Sequence, residues 1–157
     1  MSPETPGGSG LKERIAGEMR AALKAGEKVR LGTLRMLLAA VKNREVELRH
    51  DLSDEEVVDV AVREAKRRDE AIEAYEQAGR DDLAAKEREE REVLQAYVPE
   101  RLSDEELGAL LDEAFASTGA SGPGDMGKVM GYVMGRAKGR VDGAAVQRQV
   151  KDRLGAG

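Results

Sequence analysis

The stretch L-S-D-E-E followed by an aliphatic residue occurs twice, at Leu52–Val57 and at Leu102–Leu107. Each copy sets a serine three residues ahead of a glutamate, Ser53 with Glu56 and Ser103 with Glu106, between two apolar residues. In that arrangement the serine hydroxyl accepts from the third amide of a helix, and the glutamate carboxylate reaches back to the amide of the serine. Two donors that a helix start leaves without partners are thereby satisfied. Extra carboxylates in the first turn suit the positive end of the helix dipole. The repeat therefore commits the chain to two helix starts and says where they are.

The flanking segments read as helix too. "LKERIAGEMRAALKAG" puts Leu11, Ile15, Met19 and Ala22/Leu23 on one stripe and stops at Gly26. "EKVRLGTLRMLLAAVKNREVELR" carries an apolar arc of Leu31, Leu34, Leu37, Leu38, Val41 and Leu48 over about six turns. The first capping box opens a helix that ends near Gly79, and Asp81 is expected to cap a fourth. Its apolar positions, Leu83, Val93, Leu94 and Tyr97, are sparse and predict burial of the last turns only. Pro99 cannot continue that helix and pushes Val98 out of the helical region.

After Pro99, Leu107, Leu110, Leu111, Ala114 and Phe115 stripe the helix of the second box, and "STGASGPG" breaks it. Asp125 is expected to cap the next helix, and Asp142 or Gly143 to begin the last, with Val146, Val150 and Leu154 inward. No segment sustains the alternation of a strand. One phenylalanine, three tyrosines and no tryptophan leave the cores to aliphatic side chains. The expected fold class is all-α: a four-helix N-terminal domain, residues 11–98, followed by a small three-helix C-terminal domain, residues 99–157.

The net charge of −5 is segregated. Residues 10–49 carry five positive charges in excess, residues 50–125 fourteen negative, and residues 126–157 five positive. A polyanion should meet the ends and avoid the middle. The absence of cysteine removes disulfides and thiolate chemistry, and a single histidine, His50, removes a multi-histidine metal site within the chain. No cofactor is expected. The polar start "MSPETPGGSG" and the lack of a long apolar run argue for a soluble chain, no membrane partner and a cytoplasmic location.

Glu45, Glu64 and Arg68 interrupt otherwise apolar arcs. Buried charges need partners. Glu64 and Arg68 stand one turn apart, and Glu45 is expected to pair with Arg68 or another arginine across the helix interface. The di-iron pattern of Glu-x-x-His repeats is not met.

In "SGPGDMGKVMGYVMGRAKGRVDG", Gly122 and Gly127-Lys128 stand at phosphate-loop spacing, but a helix precedes them and Val129 occupies the position of the metal-binding hydroxyl. A nucleotide loop is set aside. Gly127, Gly131 and Gly135 instead recur at fourfold spacing beside an apolar arc, with Lys128, Tyr132 and Arg136 on an exposed strip. Interior glycines cost a helix about 1 kcal/mol each, so close approach is the expected return. A neighbouring helix is the first expectation for what approaches, an RNA backbone the second. Lys138 and Arg140 add charge in the following turn and Lys151 on the last helix. Lysine and arginine around a turn suit phosphates and shape, and no sequence-specific recognition of DNA is expected.

"TLRMLLAAVKNREVELR", "AIEAYEQAGRDDLAAKE", "YVPERLSDEEL" and "DMGKVMGYVMGRAKGRVDG" together resemble the YqeY-like family over about residues 10–154. That family is similar in fold to the C-terminal helical and tail region of the B subunit of the glutamine-dependent tRNA amidotransferase. The resemblance implies a non-catalytic accessory module that contacts tRNA through its C-terminal domain, with Lys128, Arg136, Lys138 and Arg140 at phosphates. With the strip and its neighbours, the candidate RNA-binding set is Lys128, Gly131, Tyr132, Gly135, Arg136, Lys138, Arg140 and Lys151. Two alternatives stay open. One is a component of tRNA-dependent amidation, a carbon-nitrogen ligase activity shared with aminoacyl-tRNA amidation machinery; no catalytic residue is evident for it. The other is a helical protein-interaction module without RNA.

Overall fold

The computed structural model describes residues 10–155. The first nine residues, whose polarity entered the expectation of solubility, lie outside the described residues, as do the last two of the second predicted domain. The fold is all-α, with no strand among the described residues. Four helices come first: α1 (Gly10–Ala25), α2 (Lys28–Leu48), α3 (Asp54–Gln77) and α4 (Asp81–Gln95). Three shorter ones follow, α5 (Asp104–Thr118), α6 (Met126–Ala137) and α7 (Gly143–Arg153), with a 3-10 turn at Pro123–Asp125 before α6. The chain divides into two compact units, the first ending at Val98 and the second beginning at Pro99.

Both capping boxes form. The hydroxyls of Ser53 and Ser103 accept from the amides of Glu56 and Glu106, whose carboxylates accept from the serine amides at 2.9 Å. Those amide hydrogen bonds hold both carboxyls below the usual range. Gly26, Gly79 and Gly119 have positive φ where α1, α3 and α5 end, the left-handed closure that glycine makes without strain. Arg49 makes the same closure for α2 at φ 61°, its amide donating to the carbonyl of Glu45.

In the first unit α3 packs along α4 and α1 along α2, and α2 joins the two pairs. Ile15, Leu34, Leu37, Val41, Leu52, Val57 and Leu94 are wholly or almost wholly buried there. Two details differ from expectation. Leu23 is exposed and Ala22 alone carries the end of the α1 stripe inward. The α4 helix is buried near its start as well as its end, because Ala84 is small enough to let the helix lie against its neighbours. Asp81 is the first residue of α4 rather than its cap, and Arg80 in the cap position makes no side-chain capping bond.

Arg68, Glu64 and Glu45 are buried. The Arg68 guanidinium lies 3.3 Å from Glu64, 3.2 Å from Glu90 and 3.9 Å from Glu87, which makes α3–α4 packing partly ionic. Glu45 does not pair with Arg68. Its carboxylate takes Lys12 of α1 at 2.9 Å and the Leu52 amide at 3.1 Å. Burial pushes the Glu45 carboxyl up, but the hydrogen bonds from Lys12 and Leu52 outweigh it and the net shift is downward. The contact fixes the loop leading into the first capping box to α1.

In the second unit α6 is the middle helix, packed on α5 and on α7. The core consists of Leu107, Leu111, Ala114, Val129, Val133, Val146, Val150 and Leu154. Asp142 caps α7 by accepting from Ala144. Asp125 caps differently from expectation: its carboxylate reaches back to the Ser121 and Gly122 amides and closes the 3-10 turn. Those two bonds, with Lys128 nearby, hold its carboxyl below the usual range.

Candidate nucleic-acid interface

The α6 helix turns Val129, Val133 and Ala137 into the core and leaves Gly127, Gly131 and Gly135 exposed. A Cβ built on any of the three glycines meets nothing within 4 Å. The expectation that a neighbouring helix packs over them is therefore incorrect. Both neighbours of α6 are met by its aliphatic arc and the residues flanking it, and the glycine edge is left bare. Along that edge α6 has no side chains, so its backbone is open to anything that approaches.

Lys128, Tyr132 and Arg136 follow at intervals of one turn. The Lys128 ammonium is 3.6 Å from Asp125 and two-thirds exposed. The Arg136 guanidinium sits 3.6 Å above the centre of the Tyr132 ring. The Tyr132 hydroxyl donates to Glu113 at 2.7 Å and accepts from Ser117 at 3.4 Å, both on α5. The structure thus brings Lys128, Gly131, Tyr132, Gly135 and Arg136 onto one face.

The following turn is divided. Lys138 is exposed. Arg140 is half-buried, and its Nε donates to the carbonyl of Glu100 at 2.7 Å. Its own amide and carbonyl are bonded to Ala137 and Leu102. A side chain expected to be free for phosphate thus also anchors the segment entering α5. Lys151 stands exposed on α7, a different helix from the strip, and Arg153 beside it is engaged by Asp112 at 2.6 Å. Sequence reasoning missed Glu113 and Ser117 as supports of Tyr132, because nothing in spacing links α5 to a tyrosine more than a dozen residues on.

Other surfaces offer less to a single-signed ligand. Among the grooves of the first unit, one of about 510 Å³ sets Lys28 and Arg30 against Glu27, Glu89 and Glu92. Another, of about 220 Å³, sets Arg44, Arg63 and Arg67 against Glu47 and Glu64. Among the described residues no three His, Cys, Asp or Glu side chains converge as a metal site, and no helix is long and apolar enough to cross a membrane.

Comparison with known proteins gives relatives that are similar in sequence to part of this chain. Altered inheritance of mitochondria protein 41, mitochondrial, of Eremothecium gossypii is 34% identical over 98 residues, which cover 60% of this chain and 54% of that protein. The protein of the same name from Saccharomyces cerevisiae is 28% identical over 94 residues, covering 59% of this chain and 51% of the relative. The chain spans about half the length of the curated relatives it matches. Their names overturn the expectation of a cytoplasmic location, since each is named as a mitochondrial protein. A polar, charged composition separates aqueous from membrane surroundings and does not distinguish one aqueous compartment from another. The sequence model of one family runs through both units, from the α1 residue that holds Glu45 to the last core residue after α7. With residues 12–154 matched, the chain belongs to the Yqey-like proteins.

Proposed function

We propose that the protein is a non-catalytic tRNA-binding accessory module that uses its second unit as the contact surface. The observation that carries this reading is the α6 face, where exposed Lys128 and Arg136 flank glycines with open space above them. Phosphates are strong acceptors spaced along a flexible backbone, and they are met by cations that can be approached closely. The C-terminal excess of positive charge supports the same reading, and the acidic stretch before it disfavours wrapping of RNA along the whole chain. The similarity in fold between the family that the four quoted motifs resemble and the amidotransferase tail supports tRNA as the RNA. Lys128, Arg136 and Lys138 contact phosphates in this account, with Lys151 and the outer nitrogens of Arg140 at the margin.

The test is ultraviolet crosslinking in cells followed by sequencing of the RNA recovered with the protein, with non-irradiated cells as the control. Enrichment of tRNA is the expected result. No RNA above the control, together with a protein partner that survives nuclease treatment, would replace this reading with the protein-interaction one. Amidated aminoacyl-tRNA formed by the purified chain from glutamine and ATP would replace it with the enzymatic one.

A further inference from the structure

We infer that the Arg136 guanidinium, stacked on the Tyr132 ring, is a platform for the face of an unpaired RNA base. The inference rests on the reading of α6 as an RNA-contacting face and adds a second kind of contact to it.

Among the described residues three arginines lie over aromatic rings, and one of them is set apart by its distance. Arg14 is 5.5 Å from the centre of Tyr97 and Arg153 is 5.8 Å from that of Phe115, and both are also ion-paired, to Glu18 and Asp112. Arg136 is at 3.6 Å, a separation that requires the planar group to lie flat on the ring, and it has no ion pair among the described residues. One face of the guanidinium is covered by tyrosine, and Arg136 is nevertheless an exposed residue.

The ring beneath is held in place. Its hydroxyl donates to Glu113 and accepts from Ser117, so the phenol is tied to α5 as well as to its own helix. Holding the ring in advance lowers the ordering cost of whatever stacks on top. Access is open too, because Gly131 and Gly135 immediately precede Tyr132 and Arg136 and neither has anything within 4 Å of a Cβ. A lysine at 136 would bring the same charge to a phosphate, whereas a flat delocalised cation on an aromatic ring also offers a surface on which a base can stack. In a double helix the faces of a base are covered by its neighbours; in a loop they are free. The ligand class is therefore RNA with unstacked bases.

The test compares the whole chain with its Arg136→Lys and Tyr132→Leu variants at several salt concentrations, after thermal melts show all three folded. The probes are folded tRNA, a long fully paired RNA duplex, and a single-stranded RNA containing 2-aminopurine. Wild type should prefer the tRNA over the duplex by roughly tenfold, the scale of one stacked base, and should change the 2-aminopurine fluorescence. Arg136→Lys, which keeps the charge, should lose that preference and that signal while keeping the salt dependence of wild type; Tyr132→Leu should lose them as well. If Arg136→Lys binds tRNA as tightly as wild type with the same fluorescence change, the platform is wrong and the RNA reading stands. If no RNA binds even at low salt, the RNA reading fails and the platform with it.

Discussion

Arg68 shows how a residue that looks out of place in a helix arc can hold two helices together. Its guanidinium is buried among Glu64, Glu87 and Glu90, so truncation removes the cation they share and leaves Glu64 with Arg67 at 3.4 Å. Arg68→Ala should lower the stability of the protein by roughly 2 to 4 kcal/mol, read from urea denaturation. A change within about 0.5 kcal/mol would mean that water rather than arginine solvates those carboxylates. Tyr97 makes a comparable contact at the end of the first unit, where its hydroxyl donates to Glu18. Burial and then the Glu18 hydrogen bond raise its phenol from the ordinary 10 to about 12. A raised folded-state value means that the contact contributes fully below pH 10 and is lost as pH rises through about 12. Phenolate absorbance should therefore show an ionisation near pH 12 that Tyr97→Phe abolishes; an unchanged titration in the variant would place that group elsewhere. The burial of Glu45, Glu64 and Arg68 was legible because charged residues broke an apolar period. The partner of Glu45 was not, since it depends on how α1 crosses α2, which no local pattern records.

At the level of elements, the starts of α3 and α5 were the most legible features, because a capping box is a contact within four residues. Asp125 was misassigned for a related reason. An aspartate ahead of an apolar arc can serve the helix after it or the turn before it, and here the amides of Ser121 and Gly122 take its carboxylate. The α6 helix gives the sharpest energetic test. Its glycines lie where a methyl group would meet no atom, so Gly131→Ala and Gly135→Ala should each stabilise the protein by about 0.5 to 1 kcal/mol through helix propensity alone. In the proposed function the same substitutions weaken tRNA binding by lifting the ligand away from the helix. Destabilisation by either alanine would show that something packs on this face after all. The glycine period itself was plain in the sequence. Which surface it served was not, because an exposed glycine and a closely packed one leave the same periodicity.

For the molecule as a whole, the relevant quantity is where the charge lies. A chain of net charge −5 presents an excess of five positive charges beyond residue 125 and an excess of fourteen negative ones between residues 50 and 125. With a further excess of five positive charges over residues 10–49, such a distribution attracts RNA to the ends of the chain and keeps it off the acidic middle. Binding of this kind releases counterions, and its dependence on salt counts the phosphates neutralised. The most direct test is a titration of wild type and of the Lys128→Gln, Arg136→Gln double variant with folded tRNA at several salt concentrations. Wild type should give a slope of about 3 in log affinity against log salt, and the double variant, equally folded, a slope smaller by about 2 and weaker binding at low salt. Equal slopes and equal affinities for the two proteins would remove the α6 strip from any RNA-binding surface and contradict the account.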